Sequence, residues 1–227
     1  MPALYTLLQF TDSLFPSGAF AHSYGLEGLL AGGAPMKGDR LHATVAAIWE
    51  HHLLRTDGLI GVHAHRAMSR GDLEAVCDLD RRLFAMKLPR ELRTASTDTG
   101  RSFLAEARAV VSCADFDRLC ARVQAGDSPG NYAVMFQAGA AASGNGEADT
   151  LLAWAYQSMA QIAAALLRLG AVGHRSAVSL ISRLRPLVEE RVHGVLGRDL
   201  GDVSSFAPQL EIASMRHERQ YSRLFRS

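Results

Sequence analysis

Glu147-Ala-Asp-Thr-Leu-Leu-Ala-Trp-Ala-Tyr-Gln-Ser-Met-Ala-Gln-Ile-Ala-Ala-Ala-Leu-Leu-Arg-Leu169 is the stretch whose reading decides the fold. From Leu151 to Leu169 it is long enough to cross a bilayer. Gln157, Ser158, Gln161 and Arg168 lie within it or at its end, and such groups are costly against lipid. The stretch therefore reads as the core helix of a globular protein. Its flanks agree, because almost all of the chain recurs at a helical period. There is no β-branched alternating run and no Asn-Gly hairpin.

Outward from this helix, Tyr132 to Ser143 is rich in Ala and contains a Gly, which permits close approach of a neighbouring backbone. Ser143-Gly-Asn-Gly reads as a turn, and Gly126-Asp-Ser-Pro-Gly130 is the clearest break in the chain. His174 to about Leu196 is another helix. Pro186 should kink or split it, because the ring clashes with the carbonyl of Ser182. Upstream, Asp72 caps a helix carrying Leu73, Val76, Leu79, Leu83 and Met86 at spacings of three and four. Pro89 suits the first turn of a helix with Leu92, Phe103 and Leu104, and Asp115 caps a short amphipathic piece. Asp39 is placed to cap a helix to about Arg55, and Asp57 one to about Ser69. Leu4 to Phe10 and His22 to Leu30 complete the set, the latter ended by Gly32-Gly33. The expectation is all-α: a single domain over 1–227, about ten helices around the central apolar helix at 147–169.

The 227 residues are 48% hydrophobic, ample for one core. The net charge of +1 offers no field to draw nucleic acid or an anionic membrane. Of the 24 Lys and Arg residues all but Lys37 and Lys87 are Arg, the better bidentate partner for a carboxylate. Cys77, Cys113 and Cys120 are odd in number and form no C-x-x-C, which fits free thiols in a reducing cytosol. Met-Pro-Ala-Leu-Tyr has neither a basic n-region nor an apolar h-region, so a cytoplasmic protein is expected.

Catalytic signatures are missing. There is no G-x-x-x-x-G-K-[ST], no G-x-S-x-G, and His217-Glu218 fails as H-E-x-x-H at Tyr221. His51, His52, His63 and His65 are the candidate metal ligands. Neighbours on a helix diverge by roughly 100°, so only His52 and His63 could converge, and only through tertiary packing. No cofactor is expected. A small helical metal-storage protein built on these four histidines is the rival reading; a helical ligand-binding regulator is a third.

Two terminal motifs carry a family resemblance. Phe10-Thr-Asp-Ser-Leu-Phe-Pro-Ser-Gly-Ala-Phe-Ala-His-Ser-Tyr-Gly-Leu-Glu27 resembles the N-terminal signature of the UreF urease accessory proteins. Pro208-Gln-Leu-Glu-Ile-Ala-Ser-Met-Arg-His-Glu-Arg-Gln-Tyr-Ser-Arg-Leu-Phe-Arg-Ser227 is similar to the C-terminal tail of that family. Arg90-Glu-Leu-Arg-Thr-Ala-Ser and Arg168-Leu-Gly-Ala-Val-Gly-His fall between them in the family's order. This chain departs from the pattern at Gly18-Ala19, where the family has Gly-Gly, and at Gly173-His174, where it often has Gly-Gln.

The resemblance implies a non-enzymatic, all-helical and typically dimeric assembly factor. Such a factor bridges UreD (also called UreH) and the GTPase UreG, and helps deliver nickel to apo-urease. It implies partner-facing roles for Pro16, Gly18, Ser23, Gly25, Glu27 and Arg168 on the UreG side. On the UreD side it implies the tail: Arg216, His217, Glu218, Tyr221, Arg223, Leu224, Phe225 and Arg226. If helical, Arg216, Arg219, Arg223 and Arg226 would share one stripe. Glu27 is expected to offer a carboxylate to a partner, and its loss to leave the fold intact.

Overall fold

A computed structural model describes residues 3–33 and 36–225. Among these the chain is helical throughout, with no strand. Its α-helices are α1 (Ala3–Thr11), α2 (Leu26–Ala31), α3 (Gly38–Ile48), α4 (Leu59–Ser69), α5 (Leu73–Met86), α6 (Arg90–Ala107), α7 (Ala114–Ala125), α8 (Tyr132–Ala142), α9 (Glu147–Arg168), α10 (His174–Leu196) and α11 (Pro208–His217).

The core gathers around α8 and α9. Every residue of α8 from Tyr132 to Ala140 is buried, against α4, α6 and α9. Phe103 meets Phe10 edge-to-face at 4.9 Å between ring centroids, a geometry that aromatic quadrupoles favour, and lies tilted against Phe136 at 5.7 Å. The α9 stretch that could have spanned a bilayer lies mostly inside the protein. Gln157 and Ser158 are hydrogen-bonded there. Trp49 donates to Ser158 Oγ at 2.9 Å, Tyr132 donates to Gln157, and Gln157 Nε2 donates to the carbonyl of Phe10 at 3.2 Å.

The break at 126–130 is fixed by one buried carboxylate. Asp80, fully buried, accepts hydrogen bonds from Ser128 Oγ at 2.6 Å, Gly130 N at 2.6 Å, Asn131 N at 2.8 Å and Asn131 Nδ2 at 2.7 Å. Gly100 of α6 faces this turn so closely that a Cβ there would lie 2.0 Å from the Gly130 carbonyl oxygen. Asp72 caps α5 as its position predicts, accepting from Ala75 N at 3.0 Å.

Five local expectations are revised. α7 begins after Cys113, so Asp115 stands in its first turn and is not its cap. α3 and α4 are joined without a break through a π-helical stretch, Trp49–Gly58, so Asp57 caps nothing; it is buried against Lys87. α3 begins after Lys37, which leaves Asp39 in its first turn. α2 starts at Leu26 rather than His22, because Tyr24 (φ 55°) and Gly25 (φ 81°) are left-handed and no helix passes through them. α10 is not split at Pro186, which lies on the exposed face. Water can serve the carbonyl that the ring displaces there.

Candidate partner-docking site

The N-terminal signature and the C-terminal tail form one structure. Left-handed Tyr24 and Gly25 turn the chain into α2, and α2 lies on α11 through its glycines. A Cβ at Gly25 would meet Leu210 Cδ1 at 2.9 Å, and one at Gly28 would lie 2.4 Å from the Ala213 carbonyl oxygen. Ala19 needs no glycine, since its backbone is not left-handed; Gly18 alone takes that turn, at φ 73°.

Glu27 is thereby aimed at the tail. Its carboxylate accepts from Leu224 N at 2.8 Å, from Phe225 N at 2.9 Å and from His217 Nε2 at 3.0 Å. Burial by itself would raise this carboxyl. The two amides and His217 outweigh it and hold the group below the usual carboxylate range. His217 is fully buried, and its Nδ1 lies 2.7 Å from Glu91 Oε2 of α6. Its two ring nitrogens thus face two different carboxyl groups, those of Glu27 and Glu91. Glu91 Oε1 also accepts from Arg223 at 2.9 Å.

Arg168, at the end of α9, closes the clasp from the other side. Its guanidinium stands 4.4 Å from the centroid of the buried Phe225 ring, and it donates to the carbonyl of Phe20. One cation thus touches both the signature and the tail.

Several expected positions stand elsewhere. The helix ends at His217, so Arg219 and Arg223 continue no helical stripe with Arg216; Arg226 lies outside the described residues. Glu27 is not a free carboxylate but holds the tail, so an unchanged fold in Glu27→Ala is no longer expected. Ser23, His217 and Phe225 are buried, while Pro16, Gly18, Arg216, Glu218, Tyr221 and Leu224 remain exposed. The four histidines face different neighbours. His51 is exposed, His52 Nδ1 meets Ser205 Oγ at 2.8 Å, His63 Nε2 meets the Arg198 carbonyl at 3.1 Å, and His65 Nε2 meets the Asn145 carbonyl at 2.9 Å. Among the described residues no group of three His, Cys, Asp or Glu is placed to hold a metal.

The family model for UreF matches residues 37–185. The chain belongs to the UreF family. A urease accessory protein UreF from Methylobacterium sp. (strain 4-46) is 33% identical over 224 residues, covering 97% of this chain and 87% of that protein. One from Azorhizobium caulinodans is 30% identical over 233 residues, covering 100% and 96%. The UreF of Trichodesmium erythraeum is 27% identical over 219 residues, covering 96% and 94%. These likenesses run nearly end to end, so they extend past the matched 37–185 toward the Glu27 and His217 sides of the clasp.

Glu91 had no role from sequence, although it stands in the UreF-like stretch Arg90 to Ser96. Its partners are 126 and 132 residues away, and no local pattern exposes them. Lys87 was also missed. Its signal was being one of two lysines in an arginine-rich chain. Lys87 Nζ lies 2.8 Å from the Asp57 carboxylate, and both residues are buried.

Proposed function

We propose that this UreF-family protein is a non-catalytic scaffold of urease maturation. It bridges UreD and the GTPase UreG, modulates GTP hydrolysis by UreG, and so assists delivery of nickel, as cargo, to apo-urease. The observation that supports this reading is the clasp. A tail held to the body by Glu27, Glu91 and Arg168 keeps Arg216, Arg219, Tyr221 and Leu224 outward in fixed positions. Exposed arginine, tyrosine and leucine on an ordered support are the residue types that anchor protein interfaces. The tail is the UreD-facing element. Pro16, Gly18 and Phe20, with Arg168 behind them, belong to the UreG-facing surface. The site of action is the reducing cytosol, where Cys77, Cys113 and Cys120 remain free thiols. The working unit is a homodimer.

Co-purification with UreD and UreG of the same organism tests this. The intact chain should capture both, and a chain lacking residues 216–227 should lose UreD while keeping its helical circular-dichroism spectrum. Equal capture of UreD by both chains would sink the bridging role of the tail.

A further inference from the structure

Beneath α11 lies a largely enclosed cavity of about 40 Å3. Tyr24, His52, Asp57, Lys87 and Gln161 line it, and Leu210 of α11 stands among them. Gln161 receives the Tyr24 hydroxyl on Oε1, yet its Nε2 is buried with no hydrogen-bond partner among the described residues. A buried amide donor without an acceptor is costly. A space of this size holds about three water molecules, which would satisfy it.

Much of the wall comes from α6, α9 and the π-helical stretch, all packed in the body. Leu210 is different, because it rides on α11. The segment leading to α11 is sewn to the π-helical stretch by polar bonds. Thr56 Oγ1 donates to the Ser204 carbonyl at 2.8 Å, Phe206 N donates to the His51 carbonyl at 3.1 Å, and His52 pairs with Ser205. Beyond Leu210, the Glu27 and Arg168 contacts hold α11 and the tail down.

We infer that α11 is the lid of a hydrated internal chamber, and that docking of the tail decides whether the Asp57–Lys87 pair is closed to solvent. The inference holds whichever protein takes the tail.

The chain supplies its own reporter. Lys37 is exposed and Lys87 is 5% exposed, and there is no third lysine. The full-length protein would be treated with dilute acetic anhydride, and acetylation at each lysine followed by peptide mass spectrometry. In the unaltered protein Lys87 should react at least about tenfold more slowly than Lys37, as expected of a group exposed only by local opening. In full-length Glu27→Gln, and separately in Phe225→Ala, the Lys87 rate should rise at least about tenfold with the Lys37 rate unchanged. Cys77 and Cys120 should stay closed to a thiol reagent in both variants, showing an intact body. Equal rates at the two lysines in the unaltered protein would overturn the inference. So would a protected Lys87 in variants whose tail is cut rapidly by trypsin at Arg219 and Arg223. Joint exposure of Lys87 and Cys77 in both variants would overturn it too, since no lid would then move apart from the body.

Discussion

Around α8 the chain is held by packed rings and aliphatic side chains, with Phe10, Phe103 and Phe136 fully enclosed. α11 and the residues after it are held by two carboxylates, one imidazole and two guanidiniums, with Leu210 and Phe225 buried and the glycine face of α2 alongside. The first kind of cohesion is non-directional and shared among many contacts, so damage at one point spreads through the core. The second is directional and resides in a few charge-assisted hydrogen bonds. It can be released as a unit without dissolving the body. The scaffold role proposed above would be served by this division.

The same substitution placed in both regions tests the division. Gly100→Ala puts a Cβ among three backbone atoms, at 2.0 Å from Gly130 O, 2.8 Å from Asn131 C and 2.7 Å from Tyr132 N. None can retreat without breaking the Asp80 turn. The cost should exceed the ordinary overpacking range, about 3 kcal/mol or more, and lower the urea midpoint of the whole protein. An unchanged midpoint would mean that the body yields as easily as the tail.

Acid acts on the seam between the regions. Burial and the nearby Lys87 push the His52 imidazole down to about 4, despite the opposing Asp57. With the folded value below the unfolded one, the unfolded chain binds the proton first. Stability should therefore decline as pH falls from about 6.5 to about 4, by at most about 3 kcal/mol. Glu27 adds to this lower down. Its folded value is depressed, so its contribution is complete above the ordinary carboxyl range and is lost as pH falls through the folded value. Urea titrations between pH 7 and pH 4 would show the decline, and His52→Asn should flatten the upper part of it. A slope unaltered in that variant would assign the decline to other groups.

Gly28→Ala is the counterpart in the tail. Its Cβ would press on the Ala213 carbonyl at 2.4 Å, but α11 lies on the surface and can lift. The expected cost is about 2 kcal/mol, seen as faster tryptic cleavage after Arg219 with little change in the urea midpoint of the body. A midpoint shift equal to that of Gly100→Ala would abolish the distinction.

What could be read from sequence follows the same line. Local physics writes itself into local pattern, so the Asp72 cap, the period of Val76, Leu79 and Leu83, and the α9 helix were all legible. The π-helical stretch was not, because a change of one residue in hydrogen-bond register leaves no mark in composition. Asp57 accordingly looked like a cap when it was half of a buried ion pair. The terminal motifs pointed to the right family. Their mutual contact, Glu27 to His217 across 190 residues, depends on tertiary placement alone.

The smallest effect separates two roles for Arg168. Its contact with Phe225 is at an exposed cation, where such interactions contribute about 0.5–1 kcal/mol. If Arg168 acts only by holding the tail, Arg168→Gln should reduce the docked population by no more than about fivefold. Capture of UreD and UreG should then weaken by no more than the same factor. Arg168→Lys should recover part of it, because the cation remains while the planar stack is lost. A much larger loss of UreG capture, with tail docking reduced only fivefold by proteolysis, would place Arg168 in direct contact with the partner. Loss confined to the docking factor would leave it as a clasp residue that acts on partners only through the tail.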